Sequence, residues 1–202
     1  MKTHLTHHIW AVGRNYADHA KEMKAEIPKE PFFFLKAGSC LETSSKITLP
    51  AWSNDVHHEL EIAFRLDENL QLSHVSLALD LTARDAQATA KAKGLPWTLA
   101  KSFKGACPIG SWISLNDIQS LDSLSLTLYK NKQLVQNGRL TDTIFKPEQL
   151  LKYVLEYYPV EPNDIVLSGT PEGVGPLKPG DVLEAHLLSE NRELLACHWD
   201  VI

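Results

Sequence analysis

The sequence predicts a mostly β fold with a few helices, an α+β chain whose strands form a rolled or barrel-like sheet. Beyond Lys101 the chain carries many short apolar segments separated by turn residues, a pattern typical of strands. Helical patterns do not alternate regularly with these segments, so a parallel, doubly wound sheet is not expected. The 202 residues are enough for one domain with a substantial core, and we expect residues 1–202 to form a single domain.

Composition narrows the function classes. The formal net charge of -5 argues against the basic surface that nucleic-acid binding requires. The sequence contains neither an apolar run long enough to cross a membrane nor the apolar core of a signal peptide. Its three cysteines are widely spaced and form no CxxC motif, which favours a reducing compartment. We therefore expect a cytoplasmic protein with neither a nucleic-acid nor a membrane partner.

The elements follow from apolar periodicity and from helix-breaking residues. In the first half, the predicted order is strand HHIWAVG, turn and short helix GRNYADHAKEMKAE, strands PFFFLKAG, SKITLP and HELEIAFRLD, then the strand-to-helix segment SLALDLTARDAQATAKAKG. In the second half, the predicted strands lie in CPIGSWISL, SLSLTLYKNKQLVQ, NDIVLSGTP and GDVLEAHLL. The predicted helix KPEQLLKYVLEYY interrupts these strands and has Pro147 in its first turn. Gly94 is predicted to end the earlier helix. Residues 130–132 are predicted to form a hairpin turn.

The stretch VHHELEIAF places two acids on a predicted strand. Because side chains alternate along a strand, Glu59 and Glu61 share one face with His57. The strand rise of ~3.3 Å per residue separates the acids by roughly 7 Å along the chain. Two carboxylates so close repel each other unless a cation lies between them, and a hard divalent ion such as Mg²⁺ or Mn²⁺ would serve. The alternative is a polar stripe on a solvent-facing edge strand.

The segment ALDLTARDAQ offers a third carboxylate, Asp80, at a strand-to-helix junction. If the helix includes Asp80, then Arg84 and Gln87 lie on the same helical face. If Thr82 is the N-cap, Asp80 precedes the helix and points outward at its mouth. The alternative is a structural Asp–Arg pair or a helix cap.

Lys101, in TLAKSFKG, follows a partly apolar stretch and precedes an aromatic residue. A lysine in this setting can act as a fixed cation beside an anion or a developing oxyanion. The alternative is an ordinary lysine whose stem lies on apolar surface while its ammonium reaches water.

The segment SGTPEGVGP allows close approach of the backbone to a ligand because of its glycines, among them Gly169. No Gly-Lys-Ser/Thr follows, so the segment is not a phosphate-binding P-loop. The functional hypothesis is an anion pocket lined by main-chain amides, with the hydroxyl of Thr170 contributing. The alternative is two successive β-turns.

In GRNYADHAKEM, His19 and Glu22 are three residues apart and can share one face of a helix. A carboxylate that orients an imidazole produces a general base. The alternative is a solvated helix face without a catalytic role.

Taken together and in this order, these motifs resemble the fumarylacetoacetate hydrolase family, in particular its small, single-domain acylpyruvase branch. The resemblance implies a mixed β-roll, a homodimer, and Mg²⁺ (or Mn²⁺) bound by Glu59, Glu61 and Asp80. It implies that Lys101 faces the bound carbonyl oxygen, and that His19 and Glu22 form a catalytic dyad on a lid within residues 14–30. The implied substrate-binding residues are Arg14, Arg84, Gln87, Gly169 and Thr170.

The reaction that the resemblance implies is hydrolysis of the C–C bond of 2,4-dioxo acids to pyruvate and a carboxylic acid. His19 would take a proton from water, and the resulting hydroxide would attack the 4-oxo carbonyl. Two other functions remain open. The same site could decarboxylate oxaloacetate or interconvert its keto and enol forms, or the protein could bind a small oxo acid without turnover.

Two positions depart from the family pattern. Lys104 stands where an acidic residue is common, which predicts an extra positive charge near the site. Asn163 replaces a frequent glycine, and because asparagine tolerates left-handed backbone angles we expect the turn to survive.

Overall fold

The fold is given by a computed structural model that describes residues 6–22, 26–190 and 192–202, apart from the side chains of residues 19–21. The strands of the described chain are β1 His8–Val12, β2 Phe33–Ala37, β3 Leu41–Glu42, β4 Lys46–Ile47, β5 Val56–His58, β6 Leu60–Leu66, β7 Leu72–Leu79, β8 Thr82–Ala83, β9 Cys107–Pro108, β10 Ile113–Ser114, β11 Leu124–Lys130, β12 Gln133–Arg139, β13 Ile165–Leu167, β14 Gly175–Pro176, β15 Val182–Ser189 and β16 Arg192–Val201. The helices are α1 Ala17–Glu22, α2 Arg84–Lys93, α3 Thr98–Lys101 and α4 Pro147–Tyr157. Among the described helices, none has the length and apolar character needed to cross a membrane.

A six-stranded mixed sheet carries the site. Its strand order is β10-β7-β6-β13-β1-β2, with β1 parallel to β13 and the other neighbours antiparallel. A five-stranded sheet, β12-β11-β15-β16-β4, packs against it, and the two share one large apolar core. Helix α4 covers the opposite face of the six-stranded sheet through a second core that contains Trp10, Val154 and Val166. The six-stranded sheet is therefore buried on both faces, which is why β6 carries almost no exposed residue.

The six-stranded sheet curls strongly. Strand β2 lies at one edge and β7 lies four places away in the strand order. At about 4.8 Å per neighbouring strand, a flat sheet would separate them by about 19 Å, far beyond the reach of one side chain. Nevertheless, Lys36 on β2 contacts Asp80, which follows β7, at 2.7 Å. The rolled, mostly β architecture predicted from the sequence is therefore confirmed.

Several local predictions are also confirmed. Gly94 ends α2 with a left-handed φ of 63°, and Pro147 is the first residue of α4. Asn131 and Lys132, with φ of 52° and 67°, form the tight turn between β11 and β12. Asn163 adopts the left-handed φ of 70° that a glycine would favour, so the turn is preserved.

Candidate active site

Three carboxylates meet at one end of the six-stranded sheet, where β6 begins and β7 and β13 end. Glu61 lies on β6, Asp80 directly follows β7, and Glu59 lies in the link between β5 and β6. The main-chain N–H of Asp80 donates to the carbonyl oxygen of Glu59 at 2.8 Å, which fixes the two links together. One carboxylate oxygen of each acid lies within 4.8 Å of those of the other two, and all three side chains are buried. The acids that the sequence nominated as metal ligands therefore form one cluster, hereafter the acid cluster.

The predicted alternation brings Glu59 and Glu61 together, as the structure does, but it fails for His57. The chain breaks its strand at Glu59, because β5 ends at His58 and β6 starts at Leu60. His57 does not line the cleft with the acids; its Nε2 lies 2.8 Å from Oδ1 of Asp55. Strand β6 is central rather than an edge, so the alternative of a solvent-facing polar stripe is wrong.

Asp80 also differs in detail from both sequence hypotheses. Helix α2 begins only at Arg84, with Ala83 as its N-cap, so Asp80 is not part of the helix. Thr82 is not the N-cap; it lies on β8, and its hydroxyl donates to the carbonyl oxygen of Asp80 at 3.0 Å. Asp80 is 1% exposed, so it points into the protein rather than outward.

Lys101 bridges two of the acids. It is the last residue of α3, a short helix that the sequence did not predict. Its ammonium donates to Oε2 of Glu59 at 2.7 Å and to Oδ2 of Asp80 at 2.5 Å. Burial alone would lower the pKa of Lys101, but the charges of Asp80 and Glu59 raise it above its ordinary value. Lys101 is thus a buried, charged ammonium, and the hypothesis of an ordinary surface lysine is wrong.

Two further cations, Lys36 and Arg84, contact the same two acids that Lys101 bridges. Lys36 is fully buried and donates to Oδ1 of Asp80 at 2.7 Å and to the carbonyl oxygen of Leu81 at 3.3 Å. Arg84 donates through Nη2 to Oε1 of Glu59 and through Nη1 to Gln87 Oε1 at 3.0 Å. These contacts orient the carboxylates, since together with Lys101 they give both oxygens of Asp80 and of Glu59 a fixed donor.

Glu61 is held by the backbone rather than by a cation. The main-chain N–H of Gly169 donates to Oε2 of Glu61 at 2.6 Å. Gly169 has a φ of 90°, and a Cβ at this position would lie 2.7 Å from the Cβ of Asn15. Only glycine therefore places this amide without strain or collision. Burial, together with the nearby charges of Asp80 and Glu59, raises the pKa of Glu61 well above its ordinary value.

The donor set fits a hard divalent cation. Three buried carboxylates supply oxygen ligands of the type that Mg²⁺ and Mn²⁺ prefer. Burial raises the pKa of Glu61, and repulsion by the charges of Asp80 and Glu59 raises it further despite the cations beside those two acids. A divalent ion among the three would remove that repulsion.

Thr170 lines the cleft, but its hydroxyl is engaged within the protein. The hydroxyl donates to the carbonyl oxygen of Leu60 at 2.8 Å and accepts from Nε2 of Gln136 at 2.8 Å. Its single proton is therefore committed and cannot be donated to a substrate. Within the described chain, the main-chain N–H of Thr170 has no hydrogen-bond partner, so this group remains able to bind an anion.

Gln136, a residue that the sequence reading missed, ties together the segments that carry the site. Its Oε1 accepts from the main-chain N–H of Leu60 at 3.0 Å and lies 3.1 Å from Nδ1 of His58. Its Nε2 donates to Thr170 and to the carbonyl oxygen of Pro171 at 2.9 Å. Because an amide oxygen only accepts, His58 carries its proton on Nδ1. Burial lowers the pKa of His58 to about 4, so its ring is neutral.

The outer part of the cleft carries different chemistry. Two cations, Arg14 and Lys91, line the opening together with the rings of Phe32 and Trp97. The guanidinium carbon of Arg14 lies 5.6 Å from the centroid of Phe32, and Nζ of Lys91 lies 5.2 Å from that of Trp97. Neither cation forms an ion pair with a described carboxylate. The opening therefore carries unpaired cations, whereas the inner end combines three acids with three cations.

The predicted His19–Glu22 dyad is described only in part. Both residues lie on α1, and the carboxylate of Glu22 accepts from the main-chain N–H of Gly173 at 3.2 Å. This contact joins α1 to the glycine-rich turn. The side chain of His19 lies outside the described residues, as do residues 23–25 of the predicted lid, so the dyad and the lid stay predictions.

Neither Lys104 nor any of the three cysteines lines the cleft. Lys104 is exposed and does not line the cleft, so the extra charge predicted near the site is absent there. Its charge instead acts on Glu42, whose pKa is lowered mainly by hydrogen bonds from Ser44 and to a smaller extent by Lys104. The cysteines are free and buried, and burial raises the pKa of Cys107 to about 12. A catalytic thiolate is therefore not supported.

Sequence reasoning missed Lys36 and Lys91, although both left a signal. Lys36 ends the apolar run PFFFL of a strand read as buried, and a buried charge requires a partner. Lys91 lies seven residues after Arg84 and four after Gln87, which continues the helical face already recognised.

The fold agrees with comparisons to known proteins. The model of the fumarylacetoacetate (FAA) hydrolase C-terminal domain matches residues 8–198, and the chain belongs to this family. An oxaloacetate decarboxylase, mitochondrial, from Dictyostelium discoideum is 43% identical over 206 residues, which cover 96% of this chain and 93% of that protein. The oxaloacetate tautomerase FAHD1, mitochondrial, of Homo sapiens is 40% identical over 188 residues, or 88% of this chain and 85% of that protein.

A crystal structure from Oleispira antarctica, described provisionally as a fumarylacetoacetate isomerase/hydrolase, is also similar. It superposes with a TM-score of 0.93 at 39% identity and covers 98% of this chain and 94% of that one. The names of the two curated relatives include a mitochondrial location, which is a property of those proteins. For this chain, the cytoplasmic location and the homodimer stay predictions from the sequence.

Proposed function

We propose that this protein enolises short 2-oxo dicarboxylic acids of the oxaloacetate type and that the reaction depends on a divalent cation. The observation that carries the proposal is the acid cluster with the Lys101 ammonium bonded to two of its carboxylates. Such a site can bind a 2-oxo acid and stabilise negative charge on its oxygens. The two curated relatives are named as oxaloacetate enzymes, and this favours oxaloacetate chemistry over the acylpyruvate hydrolysis first expected.

Glu59, Glu61 and Asp80 would hold Mg²⁺ or Mn²⁺, because both are hard ions that prefer carboxylate oxygens. When bound, such an ion supplies Lewis-acid stabilisation of negative charge on adjacent oxygens.

Lys101 contributes the fixed positive charge of the protein itself. Its side chain is 3% exposed and its ammonium is already aligned by Glu59 and Asp80, so it needs little reorganisation when charge develops on the 2-oxo oxygen. In a buried site the same charge acts more strongly than it would in water. Lys36 and Arg84 have a positioning role, since they hold Oδ1 of Asp80 and Oε1 of Glu59.

The proposed chemistry can take two courses from the same substrate. In tautomerisation, a base removes a proton from C3 and a proton is added to the 2-oxo oxygen. In decarboxylation, the C3–C4 bond breaks, CO₂ leaves, its electron pair forms the enolate of pyruvate, and C3 is then protonated. Only tautomerisation requires a base to start the reaction, and His19 with Glu22 remains the candidate from the sequence.

Hydrolysis of acylpyruvates is the second candidate. It is favoured by the contact of Glu22 with Gly173, which joins the helix that carries His19 to the turn beside Thr170. A water-activating dyad on this helix would serve hydrolysis. The third hypothesis is binding without turnover. It does not explain why the ammonium of Lys101 is buried and bonded to two carboxylates.

The test compares oxaloacetate with acetylpyruvate, each with Mg²⁺ and with EDTA. Loss of the enol absorbance of oxaloacetate without pyruvate release would indicate tautomerisation, and pyruvate with CO₂ would indicate decarboxylation. Pyruvate from acetylpyruvate alone would replace the proposal by the hydrolytic one. If neither acid were turned over with Mg²⁺, the proposed function would be wrong.

A further inference from the structure

The outer cleft contains two cations that the enolisation chemistry does not use. The cations of the inner end, Lys36, Arg84 and Lys101, are each bonded to an acid. Arg14 and Lys91 line the same cleft, and within the described residues neither pairs with a carboxylate. Cations that line a cleft without an acidic partner form a place for an anionic group of a ligand.

Lys91 lies on the same face of α2 as two residues nearer the acid cluster. Arg84, Gln87 and Lys91 are spaced i, i+3 and i+7, and all three line the cleft. Arg84 contacts Glu59 and Gln87 contacts Arg84, so this face begins at the acid cluster. At 1.5 Å per residue, Lys91 lies about 6 Å further along the helix axis than Gln87. That step is comparable to the length of a four-carbon diacid.

The ammonium of Lys91 is held over an aromatic wall. Its Nζ lies 5.2 Å from the ring centroid of Trp97. The ring centroid of Trp97 lies 6.2 Å from that of Phe32 and 5.9 Å from that of Phe34. Partial burial and the neighbouring charges of Arg14, Arg84 and Lys101 lower the pKa of Lys91 and outweigh the opposing effect of the Glu59 charge. This crowding of like charges favours an anion between them.

Arg14 is presented to the same space by a constrained loop. Its φ of 57° is unusual for a non-glycine residue, a conformation that surrounding structure must enforce. The side chain of the next residue, Asn15, donates to the carbonyl oxygens of Phe145 and Ser168 at 2.9 and 2.8 Å. Gly13, on the other side, has no room for a Cβ beside the ring of Phe32.

We propose that Lys91, assisted by Arg14, binds the distal carboxylate of a 2-oxo dicarboxylate whose 2-oxo acid end lies at the acid cluster. Lys91 is thereby a specificity residue that distinguishes dicarboxylic from monocarboxylic 2-oxo acids. The assignment rests on the proposed function for the orientation of the substrate. It adds a substrate class, because an acylpyruvate with a neutral acyl group has nothing for these cations to bind.

Binding of the distal carboxylate by Lys91 and Arg14 also affects the choice between tautomerisation and decarboxylation. Decarboxylation converts the distal carboxylate into neutral CO₂, so a cation that stabilises the carboxylate opposes this step. Tautomerisation leaves the carboxylate charged and held throughout. Removal of the Lys91 charge should therefore raise the ratio of decarboxylation to tautomerisation.

The binding test uses malate and lactate, a pair that differs only in the distal carboxylate and lacks the carbonyl needed for turnover. Calorimetric titration of the Mg²⁺-loaded protein should show malate bound about tenfold more tightly than lactate, as one charge-assisted contact provides. Lys91→Met should abolish most of this preference by weakening malate and leave lactate within about twofold. The matched control is Lys93→Met, an exposed lysine two residues further along α2, which should retain the preference.

Three outcomes would overturn the assignment. The wild-type protein could show no preference for malate, Lys91→Met could keep the preference, or the variant could weaken malate and lactate equally. A failure of the proposed function looks different: the wild type would prefer malate yet leave oxaloacetate unchanged. Conversely, turnover of oxaloacetate with the same KM in wild type and Lys91→Met would refute the role of Lys91 alone.

Discussion

The two ends of the cleft handle charge in opposite ways. At the inner end, Glu59 and Asp80 are buried and each is bonded to two cations. At the outer end, Lys91 is exposed and rests on an aromatic ring, and Arg14 is only partly covered. The charges of Glu59 and Asp80 are thus paired within the fold, whereas Arg14 and Lys91 have no carboxylate partner among the described residues.

This difference follows from the cost of burying charge. A buried ion is tolerated only when partners repay its desolvation, so every inner charge must be built into the fold. An exposed cation loses little hydration free energy and is screened by salt, so it needs no partner within the fold and is accessible to an anion. The inner end is therefore suited to chemistry on a charged intermediate, and the outer end to selecting which substrate enters.

The largest effect is expected from breaking the inner end at Asp80. Asp80→Asn removes one carboxylate and leaves Lys36 and Lys101 facing a neutral amide. We expect activity to fall more than ~1,000-fold and stability to fall by about 3 kcal/mol, since buried cations lose their partner. Turnover assays, Mg²⁺ titration and urea unfolding measure these changes. Asp117→Asn, at an exposed position, is the control, and full activity of Asp80→Asn in EDTA would refute the metal assignment.

Lys101→Met separates metal binding from charge stabilisation. Because the variant keeps all three acids, Mg²⁺ should bind at least as tightly as before, while kcat falls about 100- to 1,000-fold. Calorimetry and steady-state kinetics on the same preparation make the comparison. Parallel losses of Mg²⁺ binding and kcat would instead mean that Lys101 only supports the structure.

The buried histidine of the inner end gives a pH dependence. The folded-state pKa of His58 is lowered to about 4, below the ordinary value of about 6.5, so the unfolded chain binds more protons between these values. Stability should therefore decrease as pH falls through this window, by up to about 3 kcal/mol. Urea unfolding at pH 7 and pH 4 should show a smaller decrease for His58→Asn. His198→Asn, at an exposed histidine, should behave as wild type, and equal slopes in all three proteins would contradict the assignment.

Substituting two glycines with similar backbone angles distinguishes the stability cost of backbone strain from that of a steric collision. Gly169 and Gly180 have φ of 90° and 93°, but only at Gly169 would a Cβ meet another residue, at 2.7 Å. Gly180→Ala should cost about 1 kcal/mol for the left-handed backbone, and Gly169→Ala about 2 kcal/mol more for the collision. Thermal or urea unfolding provides both values. Equal costs would show that the loop at Asn15 yields without penalty.

The smallest effect concerns salt. Raising salt from about 0.05 M to about 0.5 M should increase the KM for oxaloacetate about threefold, because the exposed charges of Arg14 and Lys91 are screened. The buried inner charges are screened much less, so kcat should stay constant. Kinetics in sodium chloride at fixed free Mg²⁺ make the measurement. A fall in kcat with an unchanged KM would reverse the roles given to the two ends.

The sequence predicted those features that depend on neighbours along the chain. The spacing of Glu59 and Glu61, the helix end at Gly94 and the hairpin turn at residues 130–132 follow from local periodicity and backbone preference. The motif order also nominated Asp80 and Lys101, because each follows a recognisable segment. Alternation held for Glu59 and Glu61 but failed for His57, because the strand breaks at Glu59 in a way that no local signal records.

Tertiary structure alone decided which distant residues meet. Lys36 reaches Asp80 across 44 positions, and the amide of Gly169 reaches Glu61 across 108. Both contacts depend on the curl of the six-stranded sheet and on strand order, which arise from packing of the whole core rather than from any one segment. The sequence by itself thus determined the chemical groups and their local spacing, whereas the rolled sheet determined the charge partners that make the site.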